Sequence, residues 1–112
     1  LGVTEGLEFF DKNFGFAGLT GASQSHSSLY VTRDGGTTFT ELQLPLETVT
    51  ELPPLAKELN FTIENYKYCE MPKKKEDILT IKLLTGAGEI QGIRFESKDN
   101  GETWAYAGIS VE

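Results

Sequence analysis

Apolar and polar residues alternate with a period of two through most of this chain, the spacing of half-buried strands rather than of helices. Residues 7–10 read as a first strand, and Asp11-Lys12-Asn13 as a turn. Residues 14–19 follow, then a polar loop over 21–27 and a strand over 28–32. Residues 38–44, closed by Pro45, complete a four-stranded antiparallel meander within about 5–45. The second half, 61–111, repeats the plan. An extended strand over 61–69 is followed by a charged hairpin loop over 71–77 and a strand over 78–84. Gly86-Ala87-Gly88 turns the chain into 90–97, and 103–109 is the last strand. The connector 45–60 contains Pro53-Pro54, and 54–59 is expected to form one or two helical turns, with proline tolerated at the first helical position. The expectation is therefore an all-β single domain of two four-stranded antiparallel meander sheets packed together.

One eight-residue pattern occurs at the same place in both halves, between the third and fourth strands. Thr32-Arg33-Asp34-Gly35-Gly36-Thr37-Thr38-Phe39 and Ser97-Lys98-Asp99-Asn100-Gly101-Glu102-Thr103-Trp104 share a hydroxyl, an aspartate, a glycine, a threonine and an aromatic ring at matching positions. Each shared position suits a tight turn. The Asp34 or Asp99 carboxylate accepts from backbone amides a few residues on. Gly36 and Gly101 allow positive φ. The Thr32 or Ser97 hydroxyl and the Thr38 or Thr103 hydroxyl tie the arms together. Phe39 and Trp104 are expected to pack beneath the turn.

This pattern resembles the Asp-box, or bacterial neuraminidase repeat, of sialidases, sortilin-type receptors and photosystem II stability and assembly factor-like β-propellers. The words Phe9-Phe10-Asp11-Lys12-Asn13-Phe14-Gly15-Phe16-Ala17-Gly18 and Leu29-Tyr30-Val31-Thr32-Arg33-Asp34-Gly35-Gly36 are similar to the assembly-factor type. The resemblance implies a peripheral hairpin on a propeller blade. A propeller needs about four blades to close, and two are expected here. Three arrangements follow: a piece of a longer propeller, self-assembly, or two sheets packed face to face. The start at Leu1 reads as that of a trimmed chain. We expect the sheets to pack on each other, with at least one outer face covered by a second copy or by further sequence.

Composition narrows the partners. The chain has 112 residues and a net charge of −7, which disfavours nucleic acid and anionic membranes. Cys69 is the one cysteine and is expected to be an inward, inert thiol. The sialidase resemblance implies three arginines gripping the sialate, a tyrosine nucleophile and a glutamate. Only Arg33 and Arg94 are present, so the arginine set is incomplete. Paired-carboxylate glycosidase chemistry needs two acids about 5–10 Å apart. Glu5, Glu8, Glu47, Glu51 and Glu64 are scattered as a solvated face would be. His26 lies in a polar loop without companion ligands, and Asp99-Asn100-Gly101 lacks the further acids of a calcium loop. Asn60-Phe61-Thr62 is a glycosylation triplet read as incidental. Lys73-Lys74-Lys75 is a solvated tip or a contact for an acidic partner, and Tyr30, Tyr66, Tyr68 and Tyr106 are either a binding platform or cross-strand packing. The functional expectation is a non-catalytic scaffold or protein-binding module, extracytoplasmic or secreted, without metal or cofactor. The alternative is a carbohydrate-binding or sialidase-like hydrolytic protein, or part of one.

Overall fold

The computed structural model describes residues 3–20 and 27–111, so the loop that carries His26 lies outside the described residues. Nine strands form among the described residues: β1 (Val3–Phe9), β2 (Gly15–Thr20), β3 (Ser27–Thr32), β4 (Thr40–Glu41), β5 (Tyr68–Cys69), β6 (Lys73–Lys75), β7 (Ile78–Leu84), β8 (Gly92–Ser97) and β9 (Ala105–Ser110). A helix, α1, spans Pro54–Leu59, with Pro54 in its first turn and Asn60 closing it in the left-handed region at φ 59°.

The mostly-β character holds, but there is one mixed nine-stranded sheet in place of two separate ones. β1 to β4 pair antiparallel in chain order. β7, β8 and β9 do likewise, with β5 and β6 both lying along β7. The two halves merge because β4 is short. It leaves β3 after the Leu42 amide donates to the Leu29 carbonyl at 2.9 Å. The vacated edge of β3 then takes Tyr68 in parallel register opposite Ser27.

Two further expectations change. The extended strand over 61–69 is a 3-10 turn at Ile63–Asn65 followed by the two residues of β5. Thr62 and Asn65 cause this. The Glu64 amide donates to the Thr62 hydroxyl at 3.3 Å, and the Thr62 amide donates to the Asn65 side chain at 2.8 Å. The charged loop over 71–77 contains a three-residue strand: Lys73–Lys75 pair with Thr80–Ile78, and a tight turn at Glu76-Asp77 joins them, Glu76 lying at φ 57°.

The core lies between the halves. Phe16 and Leu29 of the first half share one buried cluster with Leu79, Ile81, Leu83, Ile93 and Phe95 of the second. Alternation dictates which residues enter it: Leu79, Ile81 and Leu83 of β7 are buried, while Ile78, Thr80 and Lys82 are half-buried, and only at Leu84, buried at the strand end, does the alternation stop. Phe16 is fully buried and meets Phe10, Phe14 and Trp104 in tilted or edge-on ring contacts at 5.3–6.4 Å. The connector adds Ala56 to the same cluster, with Val49 and Leu52 packed against it.

Because both halves own this core, they are expected to unfold together. Phe16→Ala should cost about 3–5 kcal/mol. In urea titrations, Trp104 fluorescence and far-ultraviolet circular dichroism should give coincident transitions. Two separated transitions would show that the halves are independent.

Candidate functional site

The repeated pattern folds into the same hydrogen-bond network twice. In the turn after β3, the Thr32 hydroxyl donates to Asp34 Oδ1 at 2.8 Å and accepts the Gly36 amide at 2.9 Å. Asp34 Oδ1 also accepts the Thr38 amide at 2.9 Å, and Asp34 Oδ2 accepts the Thr38 hydroxyl at 2.6 Å. After β8, Ser97 donates to Asp99 Oδ1 at 2.8 Å and accepts the Gly101 amide at 2.8 Å. Thr103 donates its amide to Asp99 Oδ1 at 2.9 Å and its hydroxyl to Oδ2 at 2.5 Å. Each carboxylate thus accepts three bonds from its own turn.

These donors favour the charged form. The Thr38 hydroxyl, then the Thr38 amide and the Thr32 hydroxyl, pull Asp34 down to about 2. Asp99 falls to about 2 for the matching reasons, led by the Thr103 hydroxyl. Asp11 is also lowered, chiefly by the Phe14 amide and then by that of Asn13. A general acid at neutral pH needs the opposite shift.

Two consecutive residues at the tip of each turn hold positive φ: Gly35 at 72° and Gly36 at 98°, Asn100 at 63° and Gly101 at 85°. The first of each pair was not anticipated. The Gly-Gly and Asn-Gly pairs at these places are its signal in the sequence. At Gly101 space is also limiting, since a Cβ would lie 3.0 Å from the Phe14 ring.

The second turn thus lies against the β1–β2 hairpin, and the Arg33 guanidinium of the first turn is 3.3 Å from the same Cβ position. Arg33, read from sequence as a variable turn position, spans the two turns. Its guanidinium lies 4.5 Å from the centroid of Phe14, donates to the Asn100 carbonyl at 3.2 Å and approaches Glu102 at 3.5 Å. Nothing in the sequence signals this reach across 67 positions. A cleft of about 490 Å³ opens beside it, lined by Arg33, Asp34, Thr38, Glu41, Glu102 and Trp104 among others. Asp99 is not part of that lining. Asp34 and Asp99 therefore do not converge on a shared cleft.

The two aromatic positions part company. Trp104 packs edge-on against Phe16, and its indole Nε1 is buried without a hydrogen-bond partner among the described residues. Phe39, expected to close its turn from below, is 40% exposed. Each ring sits one residue before its strand; the strands differ in length, β4 having two residues and β9 six.

The remaining candidates are dispersed. Cys69 is buried, and burial pushes its thiol up to about 12. Tyr66 and Tyr68 are buried, Tyr30 and Tyr106 are half-buried, and Tyr106 donates to the Glu51 carbonyl at 3.2 Å, so the four tyrosines form no exposed platform. Glu8, Glu47, Glu51 and Glu64 are exposed and lie in separate segments of the chain. Among the described residues no cluster of three metal-ligating side chains occurs, and no helix is long and apolar enough to cross a membrane. Comparison with protein-family models, curated proteins and solved structures finds no match.

Two outcomes follow. Asp34 and Asp99 have folded-state values below the ordinary 3.8, so their contribution is present above pH 3.8 and lost as pH falls towards 2. Melting temperature should drop across that window, and an Asp34→Asn, Asp99→Asn double variant should drop less there, from a lower starting point. An unchanged acid profile in the double variant would contradict the network. Separately, Trp104→Ala should cost about 3 kcal/mol and Phe39→Ala about 1 kcal/mol in urea unfolding. Equal costs would contradict the asymmetry between the turns.

Proposed function

We propose that this chain is a non-catalytic scaffold or protein-binding module of propeller type, made of two blade-like units each closed by an Asp-box hairpin. The observation that carries the reading is the saturation of both turn carboxylates by donors of their own turns. Groups so engaged hold strands together and have little capacity left for a substrate. The extracytoplasmic setting common to Asp-box proteins belongs to the same reading.

An uncovered apolar surface supports a binding role. Phe16 faces the core, so Leu7, Phe9 and Leu19, of opposite parity in the β1–β2 pairing, lie on the far side. They are 60%, 39% and 37% exposed. Exposed apolar side chains grouped on one face mark contact surfaces more often than isolated ones do.

Carbohydrate binding is the second reading, favoured by the cleft that brings Trp104 together with Glu41, Gln43 and Glu102. An aromatic ring flanked by planar polar groups suits a sugar. A glycan array and a panel of chromogenic glycosides separate the two. The module reading predicts no saturable sugar signal and no turnover. Turnover abolished by a single substitution such as Glu41→Gln would overturn it.

A further inference from the structure

Positive charge in this acidic chain is concentrated on one surface. On β7 the inner side carries Leu79, Ile81 and Leu83, so Thr80 and Lys82 face outward. Pairing carries that parity sideways. Lys73 lies opposite Thr80, and Lys75 opposite Ile78. Lys82 lies opposite Arg94, and Thr80 opposite Glu96. Lys98 continues the row and lines, with Arg94, Glu96, Thr103 and Tyr106, a groove of about 500 Å³ along β8 and β9. Five of the ten cations in the chain therefore share the outer face of β6, β7 and β8.

Two carboxylates temper it: Glu96, and Glu70, whose amide donates to the Lys82 carbonyl at 3.0 Å. Five cations less two carboxylates leave +3 on the face of a chain whose total is −7, and hence −10 elsewhere. Like charges directly across a ladder, as Lys82 and Arg94 are, oppose folding rather than favour it. Arg94 is held there, donating from Nη2 to the Ala107 carbonyl at 2.8 Å.

We propose that this face binds a short acidic segment of a protein partner, an inference that rests on the module reading above. The size of the face selects the occupant. Three strands and their length give about 15 Å by 20 Å, room for about six extended residues. Glu76 and Asp77 close one end at the β6–β7 turn. A long polyanion such as a nucleic acid would overrun this area onto surface of its own sign, within the Debye length of about 8 Å. Glutamate or aspartate side chains on an extended peptide instead meet Lys73 and Lys75 on β6 and Arg94 and Lys98 on the other side of β7, with the surrounding negative charge confining the peptide to this face.

The test uses the full chain and fluorescence anisotropy. Three probes are compared: a labelled peptide with about six consecutive glutamates, its glutamine counterpart and a single-stranded oligonucleotide, each at about 50 mM and 300 mM salt. The glutamate peptide should bind best and weaken with salt. Lys73→Glu, Lys75→Glu, Lys98→Glu together should weaken it at least about tenfold, and the matching Lys→Gln triple should weaken it less. Lys12→Glu, Lys57→Glu, Lys67→Glu, which changes total charge equally from exposed sites off the face, should weaken it by less than about threefold. Equal losses in the two reversal triples, or tighter binding of the oligonucleotide or of the glutamine peptide, would overturn the proposal. A saturable glycan signal with turnover would instead sink the module reading itself, so the two failures are distinguishable.

Discussion

A carboxylate left without donors at a strand junction would be solvated, and the turn around it would be one conformation among many. Here Asp34 and Asp99 each accept one amide and two hydroxyl hydrogens from their own turns, and the rest of the fold follows from that closure. Closing the turn fixes where Thr38 and Thr103 sit. It also fixes where the next strand starts, one residue beyond Phe39 or Trp104. The hydroxyl at Thr32 or Ser97 is buried, so its three bonds satisfy a group that would otherwise be costly inside the sheet.

The same device serves different ends in its two copies. Around the second turn, β9 runs six residues and Trp104 reaches Phe16 of the other half. Around the first, β4 is two residues long, Phe39 stays near the surface and the open edge of β3 takes Tyr68. The asymmetry turns two repeats into one sheet. Arg33 completes the junction by lying on Phe14 and bonding to the second turn. An exposed guanidinium of this kind contributes about 0.5–1 kcal/mol through the ring. Its value is as much in registering one turn against the other.

Local chemistry was legible in the sequence and long-range pairing was not. The two turns, α1 from Pro54 to Leu59, and β7 from Ile78 to Leu84 are encoded by neighbours a few residues apart, and the structure has them where the pattern put them. The Asp11 turn is equally local, its carboxylate accepting the Asn13 and Phe14 amides. The break at Thr62–Asn65 was also written locally, as a capping box, but the alternation of Phe61 and Ile63 masked it. The parallel contact of Ser27 with Tyr68 depends on how early β4 leaves β3, and the exposure of Phe39 depends on the same event. No pattern within either half announces that. Burial of Tyr66 and Tyr68 follows from the merger, because the vacated edge draws their segment inward.

The central claim is that the paired motifs are closed internal networks that position strands and leave binding to the faces around them. Amide hydrogen exchange of Thr38 and Thr103 tests it most directly. Both amides end on a carboxylate oxygen at 2.9 Å in an exposed turn. The account predicts matching exchange at least about tenfold below the random-coil rate, released to that rate by Asp34→Ala or Asp99→Ala in the corresponding turn alone. Random-coil exchange at both amides in the unaltered protein, with the flanking strands still protected, would contradict it.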